Sequence, residues 1–242
     1  MVRNTEDENL KDLDFEEDFL RQFLRQSKYD VLRSFKRLQS FVKFRRQNKN
    51  VFKNVENVSK SPDYQFCTPL PWRCRDGCTI TLFEYSKWSP KGITFEDLFR
   101  LGMILNHQSL RHPLTQINGF KMIVDFKGSD FEHLKFIPPS SLFTFYKAFI
   151  TCTPARNKEI HLVNESFVWR AIWAFFKHII SDKLRKRIFL HSCPEDLLNY
   201  FPKHCLPVQY GGDLEDYYME DWMKKANDQQ GISTLAGQPN TF

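Results

Sequence analysis

Residues 163–191, VNESFVWRAIWAFFKHIISDKLRKRIFLH, carry the strongest periodic pattern in this chain. If a helix begins near Phe167, its 3.6-residue period gathers the large apolar side chains on one face. These are Val168, Trp169, Ile172, Trp173, Phe175, Phe176, Ile179, Ile180 and Leu184. Arg170, Lys177, Ser181 and Arg185 fall on the opposite side. The apolar face approaches half of the helix circumference, which is wider than a surface helix ordinarily requires.

The pattern leaves two interpretations of this helix open. Lys183 and Arg187 continue the direction of the apolar face, so that the face ends in positive charge. In the first interpretation, it is a core helix that ends at the surface, where its lysines extend toward water and favour the helix C-terminus. In the second, it is a movable cover over an apolar cavity, and its charged end touches an anionic membrane.

The composition limits the fold and the partners. The 242 residues suffice for one large domain, or for one domain with a small helical part, and 24 phenylalanines predict a core lined by flat rings. The net charge of +6 is uneven, with basic stretches at 21–53 and 156–187. Such stretches indicate an anionic partner, either phosphate-bearing lipid or nucleic acid. Because no nucleic-acid-binding module is recognisable, we favour lipid.

The sequence also predicts a location. Its first residues, MVRNTEDENLKDLDF, lack the apolar core of a secretory signal. The chain contains no run of about eighteen apolar residues that could cross a bilayer. We therefore expect a cytoplasmic protein that binds membranes peripherally, acts as a monomer and keeps its six cysteines reduced.

The rest of the chain predicts an α/β fold with a mostly parallel β-sheet covered by helices, preceded by a small all-α part. Residues 15–47 indicate two helices, the second capped by Asp30, and residues 48–72 read as irregular. Strands at 79–85, 119–126, 159–164 and 187–191 then alternate with helices at 94–110, 139–150 and 167 onward, and a short helix follows at 195–200. We divide the chain into a helical part (1–60), an α/β domain (61–212) and a tail (213–242) that could hold one more helix.

Candidate catalytic residues are few. The sequence contains no nucleophile elbow, phosphate-binding loop or dinucleotide fingerprint. A parallel sheet could bring Asp125, His161 and His191 together with Cys193 as orienter, bases and nucleophile. Alternatively, the two histidines pack inside the fold and bond neighbouring backbone. Because no Gly-rich oxyanion turn lies beside Cys193, we expect that the protein is not an enzyme.

Cys74 and Cys78 flank an Arg-Asp-Gly turn and could approach each other across a hairpin. A zinc site needs more ligands at better spacing. We therefore expect no metal site, and no cofactor other than a bound hydrophobic ligand.

Five motifs, in order along the chain, resemble the CRAL-TRIO family of lipid-binding proteins. They are FLRQFLRQSKYDV (19–31), GFKMIVDFKG (119–128), IHLVNE (160–165), KLRKRI (183–188) and LPVQYGG (206–212). The resemblance is closest to the branch that contains alpha-tocopherol transfer protein and cellular retinaldehyde-binding protein. It implies an α/β domain whose long helix closes a hydrophobic pocket, and it favours the interpretation of that helix as a movable cover.

The resemblance also implies the binding residues. Family positions that bind phosphatidylinositol bisphosphate fall on Arg156, Lys158, Lys183 and Arg187, whereas a further family arginine is replaced by Ser27. The pocket wall would comprise Phe99, Met103, Asn106, Phe120, Val124, Ile137, Phe149, Ile160, Ile172, Phe175, Phe176 and Ile179. Asn106 sits where it could anchor a ligand hydroxyl.

The sequence therefore predicts a soluble lipid-binding and transfer protein. It would hold one hydrophobic ligand, such as a tocopherol or a retinoid, under a helical gate and exchange it at phosphoinositide membranes. The alternative is a lipid sensor or adaptor, which does not transfer its ligand but presents a ligand-dependent surface to a protein partner.

Overall fold

The computed structural model of the protein describes residue 10 and residues 13–52 and 65–218. In this part of the chain, two helices precede the sheet, as predicted: α1 (Glu17–Gln26) and α2 (Val31–Gln47). Asp30 caps α2, because its carboxylate accepts a hydrogen bond from the Arg33 amide at 3.0 Å. The predicted boundary between residues 60 and 61 lies outside the described residues.

The described strands form one five-stranded sheet in the order β1-β2-β3-β4-β5. Its members are β1 (Cys67–Pro69), β2 (Thr79–Glu84), β3 (Phe120–Asp125), β4 (Asn157–Val163) and β5 (Ile188–Leu190). β2 to β5 are parallel, and β1 pairs antiparallel with β2. The predicted α/β class with a mostly parallel sheet is confirmed. β1 was predicted as irregular chain, because three residues that end in a proline show no strand periodicity.

Helices after β2 alternate with the strands. They are α3 (Phe95–Leu110), α4 (Pro113–Asn118), α5 (Phe131–Lys135), α6 (Pro139–Tyr146), α7 (Phe167–Phe176) and α8 (Asp182–Arg185). A π-helical turn, Lys147–Cys152, continues α6, and short 3-10 turns follow β5. Of the predicted tail helix, residues 213–218 are not helical and residues 219–242 lie outside the described part.

The long aromatic helix predicted from Phe167 is broken into α7 and α8, so that prediction was wrong in its length. Ser181 begins α8, because its hydroxyl accepts a hydrogen bond from the Leu184 amide at 3.3 Å. Arg185 Nη2 donates to the Lys177 carbonyl at 2.8 Å and thereby satisfies an acceptor at the end of α7. Lys183 therefore lies on α8, and Arg187 follows α8 instead of continuing the face of α7.

The two faces of the sheet have different covers. Because side chains alternate along a strand, Met122, Val124 and Ile160 lie toward the helices, whereas Ile123 and Val163 lie on the opposite face. There they pack against Leu197, Phe201, Leu206 and Tyr210 of the C-terminal segment. The N-terminal helices share a third cluster with α3 and the π-helical turn, which contains Phe19, Phe23, Phe41, Phe99, Met103 and Phe149.

Candidate ligand cavity

An apolar cavity lies between the helices and the sheet. Its empty volume is about 1130 Å³, which includes space that is open to solvent. Its wall includes Phe66, Phe83, Tyr85, Phe95, Leu98, Phe99, Met122, Val124, Phe126, Leu142, Phe145, Tyr146, Phe149, Ile150, Ile160, Leu162, Trp169, Ile172, Trp173, Phe176, Ile180, Leu184 and Ile188. About half of these side chains are aromatic, and none of the wall residues in the described chain carries a charge.

Helical periodicity positions the side chains that α7 and α3 contribute to the cavity wall. On α7, Trp169, Ile172, Trp173 and Phe176 recur at the spacing that places side chains on one face. This is the face that the sequence pattern predicted. On α3, Phe95, Leu98 and Phe99 do the same, and Thr94 fixes the start of that helix through a capping box with Asp97.

Six of the twelve predicted pocket residues line this cavity. They are Phe99, Val124, Phe149, Ile160, Ile172 and Phe176. The other six, Met103, Asn106, Phe120, Ile137, Phe175 and Ile179, are not among its wall residues.

The positions of these six residues have local reasons. Met103 packs in the cluster of the N-terminal helices, and Phe120 packs with Leu110 and Ala155. Ile137 is buried in the core beneath the helices, and Phe175 packs against that core. Ile179 lies in the turn between α7 and α8 and is therefore removed from the helical face.

Asn106 lines a smaller neighbouring pocket, whose empty volume of about 290 Å³ includes space that is open to solvent. Thr81 and Ser109 line the same pocket, which shares Phe83, Met122 and Phe149 with the large cavity. Asn106 is buried, and its Oδ1 atom has no hydrogen-bond partner among the described residues.

Several wall residues escaped the sequence analysis. Trp169 and Trp173 belong to the apolar stripe of the helix and could have been assigned to the wall from their spacing. Phe66 could not have been assigned to the wall from the sequence, since it precedes a strand that has no periodic signal. Tyr85 and Phe126 lie just beyond the ends of β2 and β3, where strand alternation no longer predicts direction.

The four predicted phosphoinositide residues fall into two classes. Arg156 and Arg187 are half-buried and bind backbone carbonyls. Arg156 donates to Ile117 O at 2.7 Å and to Arg25 O, and Arg187 donates to Asn157 O. Lys158 and Lys183 are exposed.

Three of these cations meet at the start of two neighbouring strands. The Ile160 amide donates to Arg187 O at 2.8 Å, which places Arg187 beside the beginning of β4. Arg156 and Lys158 lie at that same end of β4. Lys183 lies on α8, four residues before Arg187.

The proposed catalytic residues do not assemble as a triad. His161 Nδ1 lies 3.0 Å from His191 Nε2, and His161 Nε2 lies 3.1 Å from Glu159 Oε2. Asp125 instead accepts hydrogen bonds from the Tyr210 hydroxyl at 2.8 Å and from Asn164 Nδ2 at 2.7 Å. The histidines are buried as the alternative interpretation expected, but they bond side chains rather than backbone. Burial lowers the pKa of His161 to about 4, so that its ring is neutral near pH 7.

Cys74, Asp76 and Cys78 lie close together at the hairpin before β2. Their potential ligand atoms are all within 4.8 Å of one another, and Cys74 Sγ lies 2.7 Å from Asp76 Oδ1. Lys121 Nζ lies 3.3 Å from the other oxygen of Asp76 and already supplies a positive charge there. Both cysteines are free thiols.

No helix within residues 13–52 and 65–218 combines the length and the apolar character needed to cross a membrane.

The comparison with known protein families identifies this architecture. The CRAL/TRIO domain model matches residues 64–212, which include the whole sheet and the cavity helices. The chain belongs to the CRAL/TRIO family. CRAL/TRIO domains are lipid-binding and lipid-transfer domains, and the family resemblance predicted from the five motifs is confirmed.

Relatives of this CRAL/TRIO chain include the clavesins. Clavesin-1 of Xenopus laevis is 28% identical over 211 residues, which is 85% of this chain and 64% of the relative. Clavesin-2 of Homo sapiens is 26% identical over 217 residues, 88% of this chain and 66% of the relative. The chain thus spans less than two thirds of the length of the clavesins that it matches.

The solved structure of Sfh5 has the same fold. It superposes with a TM-score of 0.57 over 90% of this chain and 83% of its own, at 13% identity. At that identity, the likeness concerns the fold.

Proposed function

We propose that this CRAL/TRIO protein holds one hydrophobic ligand in its cavity and exchanges it at phosphoinositide-containing membranes. The observation that carries the proposal is the cavity itself, which is lined throughout by apolar and aromatic side chains. An empty space of this kind exposes apolar surface to water, and each Å² that a ligand covers contributes about 25 cal/mol.

The wall indicates the chemical class of the ligand. Flat rings from Phe83, Phe99, Phe149 and Trp173 suit a ligand that combines a ring system with an isoprenoid chain. A tocopherol-like or retinoid-like ligand fits this description, in keeping with the branch that the motifs resemble. The relatives found in the comparison include clavesins, and we propose the tocopherol and retinoid branch from the motifs alone.

The exposed lysines support docking on an anionic surface. Each basic residue near an anionic bilayer contributes roughly 1 kcal/mol of binding free energy. Lys158 and Lys183 can reach lipid headgroups without breaking bonds that the fold uses. Their positions are compatible with a peripheral membrane protein of the cytoplasm, and we propose no catalytic role for the buried His161–His191 pair.

A ligand panel tests cavity binding. If tocopherols or retinoids bind only the folded protein, a hundredfold excess over Kd stabilises it by about 2.7 kcal/mol, which raises the melting temperature. Val124→Trp, which fills the cavity floor, should weaken this binding at least about tenfold. Leu114→Trp places the same indole on the surface and serves as the matched control.

Transfer of a bound fluorescent ligand to vesicles decides between the two functions. A carrier delivers its ligand faster to vesicles that contain phosphatidylinositol bisphosphate than to neutral vesicles. Binding without transfer would instead support the sensor or adaptor. The proposal is wrong if no ligand shifts the melting temperature and Val124→Trp changes nothing.

A further inference from the structure

Five large apolar side chains are exposed around the α1–α2 turn and on α4. They are Tyr29, Val31, Leu32, Leu114 and Ile117, and each is between 46% and 64% exposed. Scattered apolar residues on a surface need no explanation, but a contiguous group indicates an interaction site.

The backbone of the turn holds three of these side chains outside the fold. Lys28 and Tyr29 adopt left-handed backbone conformations, with φ of 57° and 64°, which are uncommon for residues other than glycine. The Tyr29 amide donates to Leu24 O at 2.7 Å and fixes the turn on the end of α1. Asp30 then begins α2, so that Val31 and Leu32 occupy its first turn and remain exposed.

The turn and α4 are tied to each other by two arginines. Arg25, near the end of α1, donates to Gln116 Oε1 of α4 at 2.5 Å. Arg156 donates to Ile117 O of α4 and also to Arg25 O, so that one guanidinium joins both segments. Leu114 and Ile117 are three residues apart and therefore lie on the same side of α4. The five apolar side chains thus belong to one region of the surface.

Positive charge surrounds this region. Lys28, Arg33 and Lys36 are exposed along the turn and α2, and Arg156 lies beneath it. The only acidic residue between positions 25 and 37 is Asp30, whose carboxylate accepts the Arg33 amide. Apolar tips among cations match the interface of an anionic bilayer, where the tips enter the acyl boundary and the cations meet headgroups. A second copy of the chain would place these cations against one another.

We propose that Tyr29, Val31, Leu32, Leu114 and Ile117 insert into an anionic bilayer. This inference rests on the membrane docking proposed above and adds a second contact, made by the N-terminal helices and α4. Arg156 connects the two contacts, because it lies at the start of β4 and binds both α1 and α4.

Co-sedimentation with vesicles tests the insertion. The vesicles contain phosphatidylcholine with phosphatidylserine and phosphatidylinositol bisphosphate, and the protein is the full chain. Tyr29→Ser combined with Leu32→Ser should weaken partitioning at least about tenfold, because two exposed apolar side chains that would enter the bilayer are lost. Leu198→Ser with Val208→Ser removes two exposed apolar side chains from the segment behind the sheet and should leave partitioning unchanged.

The outcomes separate this inference from the proposed function. If the parent binds the vesicles and both double variants bind equally well, the insertion is wrong and the docking survives. If the parent does not bind at all, the proposed docking fails as well. The affinity for a tocopherol or a retinoid without vesicles should be the same in the parent and both variants, and equal affinity also shows that each variant is folded.

A fluorophore attached at a new cysteine gives an independent reading. In a Cys193→Ser background, Leu32→Cys labelled with an environment-sensitive dye should show a blue shift and quenching by spin-labelled lipids on binding. The same label at Val208→Cys should show neither change. Equal responses at the two positions would overturn the proposal.

Discussion

A hydrogen-bonded row of polar side chains lies behind the sheet, on the face away from the cavity. His161 is fully buried, and its ring centroid lies 5.1 Å from that of Phe189. It continues a hydrogen-bonded row through Glu159 to Lys121, whose Nζ lies 2.8 Å from the Glu159 carboxylate. Burial acts to raise the pKa of Glu159, but Lys121 and His161 lower it below its usual value. With Glu159 ionised and His161 neutral, His161 Nε2–H can donate to the Glu159 carboxylate while His161 Nδ1 accepts from His191 Nε2.

The stability of the protein should fall between pH 6.5 and about 4 because of His161. Its pKa falls from 6.5 in the unfolded chain to about 4 in the folded one. The unfolded chain therefore binds a proton in this range that the folded chain does not. The contribution of His161 to the free energy of unfolding is complete above pH 6.5. It decreases by on the order of 3 kcal/mol as the pH falls to about 4.

Urea unfolding across this pH range measures the loss. His161→Phe keeps an aromatic ring in the slot but removes the titrating group, so its free energy of unfolding should change less between about pH 7 and pH 4.5. Parallel pH profiles for the parent and the variant would contradict the assignment.

Helices and strands were predictable where their signals are local. The start of α3 at Thr94 and the cap of α2 at Asp30 follow from the side chains that bond the first amides. The end of α7 was missed, because Ile180 and Leu184 keep the apolar period across the break. The start signal at Ser181 therefore competed with a period that appeared continuous.

The cavity wall was predictable only in part, because neighbouring positions on one helix face different clusters. Phe99 borders both the cavity and the cluster of N-terminal helices, whereas Met103, one turn later, belongs to that cluster alone. Spacing along α3 places both on the same side. Which neighbour covers that side is decided by tertiary packing, which the periodicity of one helix does not contain.

The capping box of α3 should contribute measurably to stability. The Thr94 hydroxyl accepts a hydrogen bond from the Asp97 amide at 3.1 Å, and α3 carries Phe95, Leu98 and Phe99 to the cavity. Thr94→Ala leaves that amide without its partner and should lower the free energy of unfolding by about 1 kcal/mol.

Thr144→Ala is the matched control, because Thr144 lies inside α6 and bonds only the Ser140 carbonyl one turn back. Alanine is favoured inside a helix, so this control should be neutral or slightly stabilising. Urea unfolding measures the free energy of unfolding of both variants. If it falls equally in Thr94→Ala and Thr144→Ala, the capping hydrogen bond of Thr94 does not stabilise the protein.

Over the described chain, the apolar cavity and the proposed membrane-contacting cations lie in different parts of the fold. The cavity occupies one face of the sheet, and the polar row lies on the other. The cations gather at the start of β4 and β5, where Arg156 also joins α1 and α4. Two of these cations bind backbone carbonyls and two are exposed, so that reversing their charges should have different effects.

Lys158→Glu combined with Lys183→Glu should weaken docking without destabilising the fold. Both side chains are exposed. Losing two positive charges at an anionic surface costs about 2 kcal/mol, or roughly thirtyfold in partitioning, and the repulsion of the two new carboxylates adds to this loss. The difference should shrink at high salt, because ions screen exposed charges. Vesicle co-sedimentation at low and high salt, together with the melting temperature, measures both effects.

Arg187→Gln should destabilise the fold and have less effect on docking. The Arg187 guanidinium donates to Asn157 O, and its loss leaves that acceptor without the arginine donor. The melting temperature should therefore fall, while docking of the molecules that remain folded changes less than in the lysine pair. If the lysine pair docks like the parent while Arg187→Gln abolishes docking at an unchanged melting temperature, the contact with headgroups belongs to the half-buried arginines. The assignment of the two exposed lysines to the membrane would then be wrong.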